Sequence, residues 1–138
     1  TMLNDNVTFS SLNPGDEDNT LDNSPRPFNL SNDGYVFVNV SVNATDALWI
    51  QQGLGTTYFQ FRANESGETN SYDTDLANQD WANIPDLEGL TIGVTMLNFT
   101  DSSDSAEIEI RIEVPLSEPP GLKDSEVNFL AEIGDNKL

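Results

Sequence analysis

Period-two alternation of apolar and polar residues constrains this chain more than any other feature, because it suits a strand with one covered face and does not suit a helix. Along Tyr35 to Asn43, Val36, Val38, Val40 and Val42 point one way and Phe37, Asn39, Ser41 and Asn43 the other. Along Ala106 to Val114, Ile108, Ile110, Ile112 and Val114 share a face opposite Glu107, Glu109, Arg111 and Glu113. Both segments read as half-buried strands. Leu90 to Phe99 puts Leu90, Ile92, Val94 and Met96 inward until Leu97 and Phe99 break the parity, which predicts a bulge or a strand covered on both faces. Thr56 to Arg62, with Tyr58, Phe59 and Phe61, reads as a strand covered on both faces. Val127, Phe129, Ala131 and Ile133 mark the last strand, and Val7 to Leu12 and Arg26 to Leu30 are weaker candidates.

Turn chemistry separates these runs at Asn13-Pro14-Gly15-Asp16, Asn32-Asp33-Gly34, Glu65-Ser66-Gly67 and Glu118-Pro119-Pro120-Gly121. Gly67 to Asn83 is the longest polar stretch, with a helical turn expected near Thr74 to Asn78, and no internal repeat is visible. The expected fold is all-β: a jelly-roll or immunoglobulin-like antiparallel β-sandwich of about seven or eight strands. Residues 14–138 read as its single domain, preceded by an extended segment over 1–13.

Composition narrows the chemistry. The formal charge is −19, from 24 acidic and 5 basic residues, so nucleic acid and anionic membranes are poor partners. Such acidity fits divalent cations, a high-salt habitat or a self-repelling outer surface equally well. There is no cysteine and no histidine, which removes disulfides, thiolate metal sites, the commonest general base and every Ser-His or Cys-His nucleophile. No apolar run reaches the length of a membrane span, and Thr1 reads as a processed start. Pairs of carboxylates for glycoside hydrolysis are abundant by chance and come with no pocket-forming motif, so a non-enzymatic role is expected.

Several groups are candidate sites. Asn6, Asn29, Asn39, Asn43, Asn64 and Asn98 each open an Asn-x-Ser/Thr sequon, and Asn39 and Asn43 are expected on the solvent face of the valine strand. Use of these acceptors implies a secreted, extracellular protein. Calcium is the one cofactor considered: Asp16, Glu17, Asp18, Asn19, Asp22 and Asn23 form one oxygen-rich cluster, and Asp101, Asp104 and Glu107 another, neither matching an EF-hand. Both clusters also read as solvated loops. Trp49, Trp81, Tyr35, Tyr58 and Tyr72 can stack on sugars, although Trp49 and Trp81 more readily close the ends of the sandwich.

In order along the chain, Leu12-Asn13-Pro14-Gly15-Asp16, Pro27-Phe28-Asn29-Leu30-Ser31-Asn32-Asp33-Gly34 and Val36-Phe37-Val38-Asn39-Val40 resemble the opening of the TasA/camelysin type of biofilm-matrix fibre subunit and of similar archaeal bundling-pilus proteins. Val114 to Gly121 is similar to the turn before their closing strand, whereas Trp49 to Trp81 has no counterpart. The resemblance implies a jelly-roll subunit that polymerises with identical subunits by donor-strand complementation, an N-terminal segment completing the sheet of the next copy. On that expectation Met2, Leu3, Val7, Phe9 and Leu12 form the donor strand, with the Pro-Gly turn as its hinge. An ordinary first strand in its own sheet is the alternative. At the level of function the alternatives are a secreted carbohydrate-binding or adhesive module, which implies glycan partners, and an S-layer or other envelope domain cut from a longer chain.

Overall fold

The computed structural model describes residues 1–75, 77 and 79–134. Two antiparallel sheets face each other. The larger contains β1 (Met2–Asn4), β3 (Phe28–Ser31), β8 (Ser105–Glu113), β5 (Phe59–Glu65) and β6 (Ala82–Asn83) in that order, with β2 (Glu17–Asn19) also on β8. The smaller runs β7 (Thr91–Leu97), β4 (Val38–Ala44), β9 (Val127–Ile133). The β-sandwich is therefore as expected, with nine strands among the described residues; the surplus over the sequence count comes from the two- and three-residue strands β1, β2 and β6.

The alternating residues meet between the sheets. Ala106, Ile108, Ile110 and Ile112 of β8, Phe59, Phe61 and Ala63 of β5, and Val40 and Val42 of β4 are all buried in one cluster. The outward residues of β5 are only half-buried, so this strand alternates and is not equally covered on both faces. Its first residue is Phe59, and Tyr58 lies before it. At the other side of the sandwich the Phe28 and Phe129 rings meet edge-on, 5.2 Å apart, tying β3 to β9.

The parity break in β7 is a bulge. Val38 pairs with Leu97 and Val40 with Val94, so β7 advances three residues while β4 advances two, and a second slip follows before Ser41 and Ile92. Met96, at φ 57°, takes up part of that bend. The slips reverse part of the expected inward set: Ile92 is 49% exposed and Leu90 is exposed, while Gly93 and Leu97 are buried. A Cβ on Gly93 would lie 3.1 Å from Phe61 Cε2 and 3.2 Å from Ile108 Cδ1, so the second sheet can approach this closely only where the side chain is missing.

The turns follow their residues. Asp16 N–H donates to Asn13 O at 2.9 Å with Gly15 at φ 90°, a turn that places proline second and needs glycine third. Gly34 N–H donates to the Asn32 side chain at 3.0 Å. In the polar stretch Ala77 N–H donates to Asp73 O at 3.0 Å, one helical turn; Leu76 and Asn78 lie outside the described residues. Val7 to Leu12, expected as a strand, has no strand pairing.

Packing of this kind sets a stability ranking. Phe61→Ala is expected to cost about 3–5 kcal/mol in urea unfolding, Gly93→Ala about 1–3 kcal/mol through overpacking, and Leu122→Ala, on an exposed loop, less than about 0.5 kcal/mol.

Candidate assembly surface

The leading residues run along the open side of the sandwich, between β3 and β9. β1 pairs with β3 through Met2 with Leu30 and Asn4 with Asn29, and the register slips between them. Ser31 N–H donates to Thr1 O at 2.8 Å, and Asn4 Nδ2 to Pro27 O at 2.7 Å. Beyond Asn4 the ladder stops. Among the described residues, no backbone group of residues 5–12 is hydrogen-bonded to another backbone group. Side chains alone hold this stretch: Val7, Phe9 and Leu12 pack against the core, as Met2 does from β1, while Asp5, Asn6, Thr8, Ser10 and Ser11 are exposed. The arm thus keeps strand-like alternation without strand hydrogen bonds.

Four of the five expected donor residues therefore point into the sandwich, and Leu3, 59% exposed, does not. They do so in their own domain. The strand that the resemblance sends to a neighbouring copy lies, in this single chain, on its own β3.

The arm fills its slit incompletely. A cavity of about 700 Å³ opens beside its start, walled by Met2 and Leu30 on one sheet and Val38, Val40, Val127 and Phe129 on the other. Another, of about 640 Å³, lies beside its end among Phe9, Leu12, Trp49, Val114, Pro120 and Leu122. Trp49 is buried there, its Nε1 donating to Tyr58 O at 3.0 Å, as a residue closing one end of the core should be. Trp81 is elsewhere: half-buried on the outer face of the large sheet, its ring lies 5.8 Å from the Arg62 guanidinium carbon. Tyr72 is buried with its hydroxyl on Gln79, and Tyr35 is 91% exposed, so the five aromatics make no common stacking surface.

Carboxylates at the expected calcium clusters are committed locally. Asp16 accepts from Asn13 N–H at 2.9 Å, Asp18 from Asn19 N–H at 2.8 Å and Asp22 from Ser24 N–H at 3.0 Å, while Glu17 pairs with Arg111. Asp101 is exposed, and no three acidic side chains among the described residues converge as metal ligands would. Among the sequons Asn6 is exposed, and Asn64, Asn98 and Asn29 are half-buried. Asn43 is not on an open face as expected: it is 7% exposed, with Nδ2 donating to Gly89 O at 3.1 Å and Oδ1 accepting from Asn128. Asn39 is half-buried, its Oδ1 accepting from Met96 N–H at 2.9 Å. The bulged β7 and the 86–89 turn bring backbone over that face, which the pattern of β4 alone does not show.

Three acids missed as sites by sequence reasoning are structural. Glu118 Oε2 and Oε1 accept from Ile50 N–H at 3.0 Å and Gln51 N–H at 2.9 Å, and Lys123 Nζ lies 3.1 Å from Oε2. Burial pushes this carboxyl up, but the two amides and the ammonium outweigh it and hold its pKa below the usual value. Glu68 behaves likewise: burial is outweighed by the Ser105 hydroxyl and the amides of Ser105 and Asp104. Glu109 is the opposite case. Buried with Oε2 accepting from Thr20 Oγ1 at 3.0 Å, it is pushed up by burial and by Glu107, whose own carboxyl burial also raises. Tyr72 is pushed up to about 12, chiefly by burial.

No protein-family model, curated protein or solved structure matches the chain.

The carboxyls set a pH dependence of stability. A depressed folded pKa contributes stability above the unfolded value near 4.5 and loses it as pH falls through the folded value, whereas the raised Glu107 and Glu109 favour folding below 4.5 and lose that contribution as pH rises through their folded values. Glu118→Ala should therefore cost about 2–3 kcal/mol at pH 7 and progressively less as pH falls below 4.5 through the folded carboxyl's own pKa, and Glu109→Gln should cost least near neutrality. Urea titrations across the acid range check this; a Glu118→Ala cost that rises as the carboxyl is protonated contradicts it.

Proposed function

We propose that this protein is the repeating subunit of an extracellular filament, and that adjacent copies exchange their N-terminal arms. One observation carries the reading: residues 5–12 lie in an apolar slit with alternating side chains inserted and, among the described residues, no backbone–backbone hydrogen bonds, directly before the Asn13–Asp16 turn. An arm held in this way is an exchangeable element. The slit of a second copy offers it the same contacts, so leaving home costs little beyond the β1 pairing, and pivoting at the turn is enough. A span of 13 residues reaches about 43–47 Å when fully extended, sufficient to enter a neighbour packed end to end.

The pairing of Met2–Asn4 with β3 in cis weighs against a strand that is always donated. It fits an exchanged one, because the same β3 edge is vacated in each copy and refilled by the next. Donated head-to-tail, each arm leaves its own slit open for the next copy, so repetition builds a fibre, whereas a reciprocal swap would stop at a dimer. The resemblance to TasA/camelysin-type subunits supports the same reading from the turn and strand motifs. The lack of histidine and cysteine supports a structural role over a catalytic one, and the exposed Asn6 sequon supports an extracellular setting in which glycans are attached. The sugar-binding alternative draws no comparable support, because Trp49 and Tyr72 are buried.

With −19 charges on each subunit, assembly works against repulsion and should strengthen with ionic strength. The full chain is expected to form fibres in negative-stain micrographs, with more pelletable protein at 1 M than at 0.05 M NaCl. Deleting residues 1–12 should leave a β-sheet circular dichroism spectrum and no fibres. Fibres that survive the deletion, or a full chain that stays monomeric at every salt concentration, would contradict the proposal.

A further inference from the structure

We infer that β9 is a second interface, a self-complementary edge through which two copies of this chain pair antiparallel and join their small sheets into one of six strands. Its ladder with β4 is regular over all seven residues, from Val38 with Ile133 to Ala44 with Val127. Thr45 N–H donates to Glu126 O at 2.9 Å and Gly134 N–H to Phe37 O at 2.8 Å, which fixes the alternation. Even-numbered residues of β9 direct their backbone groups at β4, so Val127, Phe129, Ala131 and Ile133 direct theirs away from it. Among the described residues β9 pairs with β4 alone.

Edges of this length are normally blunted by proline, lysine or a bulge, and β9 has none of the three. Nor is its inward face covered to the end: Ile133, which pairs with inward-facing Val38, is 78% exposed, and Ala131 is exposed.

A second β9 fits this edge in one register. Centred on Leu130, antiparallel pairing sets Val127 against Ile133 and Phe129 against Ala131 of the other copy, each pair made of residues whose backbone groups are free. On the inner face this matches a large ring with a small side chain and covers the exposed Ile133. On the outer face it sets Leu130 against Leu130 and Asn128 against Glu132, so no acid faces an acid across the seam, which matters in a chain with a charge of −19. Shifting the centre to Phe129 or Ala131 shortens the matched stretch. The occupant of this edge is therefore a copy of the same strand, related by a two-fold axis through Leu130. The interface borders the start of the arm, where Thr1 and Met2 share a cavity with Val127, Phe129 and Ala131, but it is made by β9 and does not depend on exchange of the arm.

The absence of cysteine makes the register directly testable. At the two-fold axis the two residues 130 form a non-hydrogen-bonded pair with Cα atoms about 4.5 Å apart, within disulfide range. The two residues 128 are displaced by about 14 Å along the strand. Mild oxidation of full-length Leu130→Cys should double the mass of most of the chain on a non-reducing gel, and Asn128→Cys should stay at monomer mass. In the cysteine-free background Ala131→Lys, which sets a charge on the inner seam of an exposed position, should lose at least tenfold in dimer affinity by sedimentation. A Leu130→Cys chain that does not cross-link, equal cross-linking at position 128, or an unchanged affinity for Ala131→Lys overturns the inference. Fibre formation in any of these cases leaves arm exchange standing without it.

Discussion

The buried face of β8 is the constraint from which the rest of the structure follows. Ala106, Ile108, Ile110 and Ile112 stand in the centre of the sandwich, and the strand is paired on both edges, with β5 on one and β3 and β2 in line on the other. This fixes the core and divides the acids of the same strand onto the far side, where Glu109 is covered through Thr20 and Glu107 is half-buried. The cost of burying carboxyls there is met locally, since Thr20 both donates to Glu109 and accepts from Ile110 N–H at 2.9 Å. Among the described residues the large sheet continues beyond β3 only as the three residues of β1, and the small sheet ends at β9. The open side between these two edges is where the arm lies.

How much of this could be read in advance depended on how local its causes are. The valine and isoleucine alternations placed β4 and β8 within a few residues, because a strand with one buried face records that face in its own side chains. Pro14-Gly15 announced its turn for the same reason. Non-local causes left no such mark. Simple parity turns Ile92 inward, but the bulge that reverses it has a position set by the pairing with β4. Asn43 looked solvent-facing because the backbone that covers it comes from Gly89, far along the chain. Glu118 was legible only as part of a turn, since its partners Ile50 and Gln51 belong to a loop with no recognisable pattern. The apolar spacing of Val7, Phe9 and Leu12 was visible, but whether they fill their own slit or another is not a property of their sequence.

Charge shapes what the two edges can do. Of the basic residues described, Arg111 pairs with Glu17 and Glu113, Lys123 with Glu118, and Arg62 lies against Trp81, so most of the positive charge is committed inside the molecule. What faces solvent is overwhelmingly anionic, and copies associate only where strand hydrogen bonds and apolar contacts exceed repulsion. An unblunted edge and a loosely seated arm are consistent with such a surface, because general self-repulsion suppresses the unspecific pairing that each would otherwise invite.

Arm exchange is the claim on which the functional account stands, and mixing two single-cysteine chains tests it without reference to fibre morphology. Asn4 and Asn29 are partners across β1 and β3, so Asn4→Cys and Asn29→Cys, prepared separately, mixed under reducing high-salt conditions and then oxidised, can join only if the arm of one chain lies on β3 of another. The account predicts a covalent heterodimer in the mixture. Chains that remain separate, while the double variant closes its disulfide within a single molecule, would show that the arm stays at home.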